Sequence, residues 1–281
     1  MKRINDILRR GESLLEEITQ DYKIDAKLLL EYVLQKDSLY IFMNKDEIVD
    51  EALIHQYDLL LDRRHSGEPL QYIIGHQSFM GLDFKVAPGV LIPRSDTENL
   101  VLKVIEKIKE FNYKEVLDIG TGSGAIHISL CHYLENVTCT TVDISETAIA
   151  IAKENAENLG VRDRVKYVKS DIFENINTRF DVIVSNPPYI PTKVIDDLQE
   201  ELSHEPKIAL DGGEDGYDFY RRIINESPEY FNDTGILAFE VGHDQSQVIK
   251  SLLESSGFTN VEIHCDLSGI ERVVLARYER L

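Results

Sequence analysis

The segment Asn186-Pro187-Pro188-Tyr189 combines residue types that can hold a planar NH2 group. Each proline fixes its own backbone angle and pushes the preceding residue toward an extended conformation. Because proline has no N–H, the carbonyl oxygens of this segment stay free to accept hydrogen bonds from a ligand. The Asn186 side-chain carbonyl and the Pro187 main-chain carbonyl can then bind both hydrogens of the NH2 group, while the Tyr189 ring stacks on its conjugated plane.

This arrangement suits the methylation of an amide or exocyclic amine nitrogen. Such a nitrogen shares its lone pair with a π-system and is therefore a poor nucleophile. Two acceptors bind it more tightly as positive charge develops, so they stabilise the transition state more than the ground state. Alignment of the nitrogen with the donor methyl group lowers the barrier further, and no strong general base is required. The alternative is a rigid Pro-Pro turn with a capping asparagine, which would be favoured if the segment stood alone.

A glycine-rich segment follows the first apolar run in the second half of the chain. It reads Val116-Leu-Asp-Ile-Gly-Thr-Gly-Ser-Gly124, with glycines where a strand would turn sharply into a helix. Glycine there lets the backbone approach a ligand with no Cβ in the way. The candidate ligand-binding residues are Gly120, Thr121, Gly122, Ser123 and Gly124. The loop also fits an alanine-ending dinucleotide fingerprint or a glycine turn that only packs a helix on a strand, so it does not identify the ligand alone.

Acidic residues near this loop favour S-adenosylmethionine over a dinucleotide. Asp118 directly precedes the glycines, where a carboxylate would repel a pyrophosphate but attract the methionine ammonium group of S-adenosylmethionine. Asp143 ends the next apolar run about twenty residues later, placed to accept hydrogen bonds from ribose hydroxyls. After the third run, Asp171 can reach the adenine amino group and Ile172 can pack on the ring. Taken alone, Asp171 would be an ordinary solvated loop acid.

The composition describes a globular protein with a strongly acidic surface. The chain has 281 residues, of which 43% are hydrophobic and 28% charged, enough for two domains or one large one with a buried core. Its 30 basic and 50 acidic residues give a net charge of -20. Because Lys and Arg supply most non-specific affinity for a phosphate backbone, this charge argues against DNA or RNA as the main target. It favours a cationic cofactor or a basic protein partner, although it can equally serve solubility alone.

Cysteine usage and the N-terminus indicate a cytoplasmic protein. Cys131, Cys139 and Cys265 show no metal-ligand spacing and cannot all pair, so we expect neither a metal site nor a disulfide framework. The basic start is followed by an amphipathic acidic stretch, which argues against a signal peptide. No stretch approaches the roughly 20 apolar residues that span a bilayer, and we expect no membrane partner.

Residues 1–72 predict a small all-helical domain, and residues 73–94 a linker. Apolar residues recur at helical spacing in three stretches, the second of which follows Asp25, a plausible N-cap. Short alternating runs on either side of Gly81 predict a β-hairpin within the linker. Ser95 and Glu98 then match an S-x-x-E capping box at the start of a further helix.

Residues 95–281 predict an α/β domain with a mostly parallel, doubly wound sheet, because apolar runs typical of buried strands alternate with helical patterns. The strand-like runs are Val116–Ile119, Val137–Val142, Val165–Val168, Val182–Val184, Ile236–Val241 and Val273–Ala276. The helical patterns between several of them are Ala125–Leu134, Thr147–Leu159 and Gln245–Ser255.

Together these motifs resemble the HemK/PrmC glutamine methyltransferases, which modify peptide chain release factors. The resemblance covers nearly the whole chain. It rests on Gly67–Tyr72 with Gly75 and Phe79, Leu91–Glu98, Asp118–Gly124, Asn186–Tyr189, Glu205-Pro206, Ala209–Gly213, Asp215-Gly216, Phe219–Arg221, Glu240–Gly242 and Asp266–Arg272. Adenine methyltransferases share the Asn186–Tyr189 segment, so the specific signal is its combination with the N-terminal and C-terminal segments.

The resemblance implies a class I, Rossmann-like methyltransferase sheet, joined by the β-hairpin linker to a small all-helical domain that helps grasp the release factor. S-adenosylmethionine would be held by Gly120–Gly124, Asp143, the Asp171-Ile172 pair and Asn186. The catalytic segment Asn186–Tyr189 would hold the substrate, a glutamine in the GGQ motif of a release factor, whose methylation tunes translation termination. The protein would act as a cytoplasmic monomer and would not bind nucleic acid directly.

Two departures from the usual pattern of this family are present, at three positions in all. Ser95 and Asp96 stand where a proline and a glutamate are usual, which leaves charge at only the second position. Ile172 is aliphatic where an aromatic residue is often found, which would weaken stacking on adenine. Neither departure affects the Asn186–Tyr189 segment.

Three other functions stay open at this point: methylation of a ribosomal-protein glutamine, methylation of an adenine amino group, and non-catalytic cofactor binding. Enzymes that modify bases in duplexes must extrude the base and usually need a basic recognition surface, which the net charge of -20 argues against. A non-catalytic protein would be expected to have lost the Asn186–Tyr189 segment beside an intact glycine loop, and here both are intact. The fold alone does not decide among these functions.

Overall fold

The computed structural model describes residues 2–195 and 204–280. The described chain divides into two compact units. The smaller contains residues 2–76 and His204, and the larger contains residues 77–195 and 205–280.

The smaller unit is helical, as the sequence predicts. Its helices are α1 (Ile4–Leu15), α2 (Tyr22–Leu34), α3 (Ser38–Met43), α4 (Glu51–His65) and α5 (Leu70–Ile74). Two short strands, β1 (Lys2–Arg3) and β2 (Ile48–Val49), pair antiparallel. The apolar faces of α1, α2 and α4 meet around Ile7, Leu29 and Tyr57, each of which is fully buried.

The predicted N-cap role of Asp25 is wrong, because Asp21 occupies the N-cap position of α2. Asp25 lies inside the helix and is buried, and its Oδ2 accepts a hydrogen bond from Arg64 Nε of α4 at 2.7 Å. A buried carboxylate without a partner would be expensive. The ion pair with Arg64 therefore accounts for an acid on the inner face of α2.

The β-hairpin expected between the two domains is present and consists of β3 (His76–Phe79) and β4 (Leu82–Lys85). Phe79 and Phe84 are buried in a core cluster of the larger unit, where their rings make an edge-to-face contact with centroids 5.9 Å apart. Most of the segment expected as a linker is thus part of the packed core of the larger unit.

The predicted capping box at Ser95 and Glu98 is wrong. The helix α6 (Ser95–Phe111) begins at Ser95, so that Arg94 occupies the N-cap position with an extended backbone. The Glu98 carboxylate instead accepts a hydrogen bond from the backbone N–H of Met80 at 2.7 Å. Glu98 therefore ties α6 to the turn of the hairpin.

The centre of the larger unit is a seven-stranded sheet in the order β10-β11-β9-β8-β5-β6-β7. Its strands are β5 (Glu115–Ile119), β6 (Thr138–Asp143), β7 (Val165–Lys169), β8 (Phe180–Ser185), β9 (Phe231–Glu240), β10 (Thr259–Cys265) and β11 (Glu271–Glu279). The helices along the chain are α6, α7 (Ala125–Tyr133), α8 (Glu146–Asn158), α9 (Thr192–Ile195), α10 (Asp218–Glu226) and α11 (Ser246–Ser255).

The sheet is doubly wound, as predicted, with strands β5 to β9 parallel and β11 antiparallel to its neighbours. Two apolar clusters cover its faces, one containing Leu100 of α6 and Leu130 of α7, the other Ile223 of α10 and Ile249 of α11. All six predicted strands are present, although β9 begins earlier, at Phe231. Among the described helices, none is long and apolar enough to cross a membrane.

Candidate active site

The site lies where the winding of the sheet reverses. Strand β5 pairs on one side with β6 and on the other with β8, and Ile119 is level with Ser185 at the ends of the two strands. The Ser185 hydroxyl donates a hydrogen bond to the Ile119 carbonyl at 2.7 Å, which joins the two strand ends. Parallel α/β sheets bind ligands at such a reversal, beyond the carboxyl ends of the strands. The glycine loop and the Asn186–Tyr189 segment therefore leave the sheet side by side.

The glycine loop is held open by its backbone conformation. Gly120, Gly122 and Gly124 have φ of +92°, +52° and +91°, in the left-handed region that side chains rarely adopt. A Cβ on Gly120 would point toward the carbonyl oxygen of Asn186, 4.0 Å away. A Cβ on Gly124 would lie 2.4 Å from the Ile128 side chain, so this third glycine serves the packing of α7. The first two glycines are thus the ones that leave room for a ligand.

Asp143 supports the loop from the end of β6. Its Oδ2 accepts a hydrogen bond from the N–H of Gly122 at 3.1 Å, and its Oδ1 accepts one from the N–H of Ser145 at 2.8 Å. Burial raises the pKa of this carboxyl, and the backbone N–H groups oppose that shift. Each oxygen retains a lone pair, so the carboxylate can hold the loop and still accept hydrogen bonds from a diol.

Asp118 has a different environment from the one its sequence position suggests. Its side chain is 1% exposed, and its Oδ2 accepts hydrogen bonds from His127 Nδ1 at 2.7 Å and from the Thr141 hydroxyl at 3.3 Å. Burial raises the pKa of this carboxyl, against the effect of His127. The carboxylate lies under the glycine loop. It does not line the cleft that the loop and the Asn186–Pro188 segment border. Its observed contacts fix the base of the loop and do not include the cleft.

The Asp171-Ile172 pair lies at the rim of the same cleft. Asp171 is partly exposed and forms an ion pair with Arg222 at 3.1 Å. Ile172 is 4% exposed and has φ of +49°, which is unusual for a β-branched residue. Such strained residues persist only where their surroundings hold them, and they cluster at functional sites.

These elements surround one cleft, which encloses about 1110 Å³ of space, counting its open mouth. The predicted site residues that line it are Gly120, Thr121, Gly122, Ser123, Asp143, Asp171, Ile172, Asn186, Pro187 and Pro188. Asp118, Gly124 and Tyr189 are outside the lining. The cleft thus combines two glycines that leave space, an acid at a strand end and a largely apolar wall, which fits S-adenosylmethionine.

The backbone of the Asn186–Tyr189 segment is held by a glycine-containing stretch. A Cβ on Gly212 would lie 2.9 Å from the Pro188 carbonyl oxygen and 2.8 Å from the Tyr189 Cα. Gln245 Nε2 donates hydrogen bonds to the carbonyls of Tyr189 and Gly216, at 3.1 and 3.2 Å. Only a residue without a side chain fits at position 212, so the close approach keeps the Pro-Pro segment in place.

Tyr189 packs inward. Its ring is partly buried against the apolar cluster that contains Tyr220 and Phe239. Burial, followed by the nearby Glu240, raises the pKa of Tyr189 to about 12, so the phenol stays neutral. Stacking of this ring on a substrate amide, which the sequence analysis expects, remains a prediction.

Asn186 is joined to two residues that the sequence analysis does not predict as site residues. Its Nδ2 donates a hydrogen bond to the Thr97 hydroxyl at 3.2 Å, and that hydroxyl donates to Glu240 Oε2 at 2.5 Å. Thr97 is 5% exposed and Glu240 is 3% exposed. No local pattern could pair them, since 143 positions separate them. The available signal is that Glu240, like Asp143, ends an apolar strand.

Glu240 is an ionisable group with an altered affinity for protons. Burial raises its pKa to about 7, and Asp96 adds to the shift, while hydrogen bonds from Thr97 and Asn186 and the positive charge of Arg272 oppose it. A buried group with a pKa near neutrality beside a cleft is typical of functional sites.

Two protein-family models match this chain. The family model of the PrmC N-terminal domain matches residues 6–75. The family model of the methyltransferase small domain matches residues 94–270. In fold, the chain is similar to the crystal structure of ribosomal protein L11 methylase from Lactobacillus delbrueckii, with a TM-score of 0.51 and 21% identity over 70% of this chain and 86% of that one.

Curated relatives are similar over nearly their whole length. A release factor glutamine methyltransferase of Clostridium acetobutylicum is 42% identical, over 98% of this chain and 98% of the relative. One of Clostridium botulinum is 43% identical, over 98% of this chain and 99% of the relative. Identity of this extent across both units shows that the chain belongs to the release factor glutamine methyltransferase family.

Proposed function

We propose that this protein transfers a methyl group from S-adenosylmethionine to the side-chain amide nitrogen of a glutamine in a peptide chain release factor. The observation that carries the proposal is the position of Asn186. Its side chain lines the cleft beside the glycine loop, and its NH2 group is already bonded to Thr97. The side-chain oxygen is therefore the atom left for the NH2 group of a substrate.

The cofactor proposal rests on the glycine loop and the acid beside it. When bound, S-adenosylmethionine supplies an electrophilic methyl group on a sulfonium. The chain contributes space at Gly120 and Gly122, and a carboxylate at Asp143 for the ribose hydroxyls. Asp118 does not line the cleft, but its Oδ1 is buried and has no hydrogen-bond partner among the described residues, so its contact with the methionine ammonium group remains a prediction.

The chemical contribution of the chain is to grip and orient a poor nucleophile. Asn186 Oδ1 and the Pro187 carbonyl accept the two amide hydrogens of the glutamine. As the carbon–nitrogen bond forms and the carbon–sulfur bond breaks, positive charge grows on the nitrogen and strengthens both hydrogen bonds. Bound S-adenosylmethionine would supply the methyl group and take up the electron pair of the carbon–sulfur bond, and the methylated nitrogen would then lose its proton to water.

The substrate is proposed as protein, with a reducing cytoplasm as the compartment. The net charge of -20 favours a basic protein over nucleic acid. The three cysteines are free thiols, as expected where glutathione and thioredoxin keep thiols reduced.

The smaller unit is proposed to bind the release factor. Leu39, Phe42 and Met43 of α3 are 66%, 75% and 69% exposed, and Ile48 nearby is 57% exposed. Grouped exposed apolar residues of this kind mark interaction surfaces.

The first prediction concerns the ribose contact. We expect Asp143→Ala to weaken S-adenosylmethionine binding by about 1.5–3 kcal/mol, the range for hydrogen bonds to charged groups. Isothermal titration calorimetry measures the change. Glu146→Ala is the matched control, since this acid on α8 has a 78% exposed side chain and should leave binding unchanged. An unaltered dissociation constant for Asp143→Ala would mean that other residues hold the ribose, and binding of NAD by the unmodified protein would revive a dinucleotide site.

The second prediction separates protein from nucleic acid as substrate. The pure protein is incubated with tritiated S-adenosylmethionine and, in separate tubes, a release factor, a ribosomal protein preparation and duplex DNA. We expect label in the release factor, on the glutamine amide nitrogen. Label in DNA or in ribosomal protein, with none in the release factor, would overturn the proposed substrate.

The third prediction concerns the acceptor itself. Asn186→Ala removes one of two acceptors and should lower kcat about 10²–10³-fold, as does loss of a comparable preorganised group, with a smaller effect on KM. Asn186→Asp keeps an acceptor and should retain more activity than alanine, provided that its charge does not displace the substrate. Single-turnover methylation of the release factor measures both. Near-normal rates for both variants would reduce Asn186 to a turn residue.

The fourth prediction concerns the exposed face of α3. Simultaneous replacement of Leu39, Phe42 and Met43 by serine should raise KM for the release factor about 10²-fold, because three hot-spot apolar side chains at about 1 kcal/mol each contribute about 3 kcal/mol together. Calorimetry should find S-adenosylmethionine binding unchanged. Leu102→Ser, on a 46% exposed position of α6, is the control. A normal KM for the triple variant would remove the recognition role from α3.

A further inference from the structure

The hydrogen-bond chain behind Asn186 has a direction. The Thr97 hydroxyl has one proton, and the structure directs it to Glu240 Oε2 at 2.5 Å. The Thr97 oxygen is then an acceptor, and it receives the N–H of Asn186 at 3.2 Å. Because an asparagine side chain has an acceptor at one end and a donor at the other, this bond decides which end is presented to the cleft.

The direction depends on the charge of the carboxyl group. An ionised Glu240 can only accept, so Thr97 must donate to it and accept from Asn186. A protonated Glu240 can donate to Thr97, which frees the hydroxyl proton for the Asn186 oxygen. The asparagine amide can then turn over, and its NH2 group would face the NH2 group of the substrate. Two donors facing each other cannot bind.

The surroundings of Glu240 allow both charge states near neutral pH. On α6, Asp96 favours the neutral form, and on β11, Arg272 favours the ionised form. Arg272 is shared, since its Nε lies 3.3 Å from Asp96 and 3.5 Å from Asp266. On α10, the Tyr220 hydroxyl donates to the backbone carbonyl of Glu240 at 2.8 Å, and the Tyr189 phenol stays neutral nearby. These contacts leave Thr97 and Asn186 as the donors that face the carboxylate.

We propose that Glu240 is a positioning residue that, through Thr97, fixes the orientation of the Asn186 amide so that its oxygen faces the methyl acceptor. The inference rests on the proposed function, because it requires an NH2 group in the cleft. Glu240 does not touch the substrate, and its negative charge, acting through Thr97 and on the Asn186 NH2 group itself, is what selects the productive orientation. Methyl transfer therefore requires the ionised carboxylate and is lost as the pH falls below about 7, the pKa of this group.

The test uses two substitutions that interrupt the chain at different points in the full-length protein. Thr97→Val replaces the hydroxyl with a methyl group of similar size, and Glu240→Gln replaces the charge with an amide that can donate to Thr97. Both should lower the single-turnover rate constant on the release factor at least about tenfold. This loss is smaller than the 10²–10³-fold loss expected when the acceptor itself is removed. The dissociation constant of S-adenosylmethionine should change less than twofold. Thr97→Ser restores the hydroxyl and should recover most of the rate.

The pH profile distinguishes positioning from a merely structural role. The unmodified protein should lose kcat as the pH falls from 8 to 6, with an apparent pKa near that of Glu240, whereas Glu240→Gln should show a low, flat profile over this range. Loss of cofactor binding or of far-UV circular dichroism in both variants would assign Thr97 and Glu240 to folding and overturn the inference. An unchanged rate and profile in Thr97→Val would also overturn it. Failure of the unmodified protein to methylate a release factor would instead count against the proposed function, because the inference concerns only the ratio of variant to unmodified rates.

Discussion

The parallel pairing of β5 with β8 is the constraint on which the site depends. It places Ile119 level with Ser185, and the Ser185 hydroxyl closes the two strand ends with a 2.7 Å hydrogen bond. The glycine loop follows Ile119 directly in sequence, and the Asn186–Tyr189 segment follows Ser185. A register shift of one residue would turn every side chain of one strand to the opposite face and separate the glycine loop from Asn186. The buried apolar faces of both strands oppose such a shift, so the packing of the core sets the geometry of the site.

Beneath the cleft, buried acids stiffen the segments that line it. Asp118 is bonded to His127, Glu205 accepts from the N–H of Ile92 at 3.0 Å and pairs with Arg94, and Glu240 accepts from Thr97. An unbonded carboxylate in such a position would be costly, so the bonds to Glu205 and Glu240 each favour a single arrangement, whereas Oδ1 of Asp118 has no partner among the described residues. Catalysis by orientation needs this rigidity, because a small misplacement of the acceptor nitrogen lowers the rate steeply.

Much of the fold follows from local patterns, and the exceptions have physical reasons. Continuous apolar runs predict the buried strands, because both faces of a parallel sheet are covered. Strand β10 (Thr259–Cys265) is not predicted from the sequence. It lies at the edge of the sheet, and its residues are exposed or only partly buried, so it lacks a continuous apolar run. The S-x-x-E pattern at Ser95 predicts a cap that does not form, because tertiary packing gives Glu98 a different partner in Met80.

The site is predictable in part for the same reason. Asn186 and the glycine loop are visible in sequence because each is a compact local motif. Thr97 and Glu240 are not, since their contact exists only after α6 has packed against β9. For Asp118, the sequence does not show that alternation along β5 turns its Oδ2 toward His127. Its predicted contact with the methionine ammonium group remains a prediction.

The central claim is that Asn186 presents its oxygen to a glutamine amide. A crystal structure of the protein with S-adenosylhomocysteine and a release factor, or a peptide that contains its glutamine, tests it most directly. The account predicts the glutamine nitrogen within about 2.7–3.2 Å of both Asn186 Oδ1 and the Pro187 carbonyl oxygen, a normal hydrogen-bond distance. It also predicts that Asn186 Nδ2 still donates to Thr97. A glutamine bound elsewhere, or an asparagine that donates its own NH2 group to the substrate carbonyl, would contradict it.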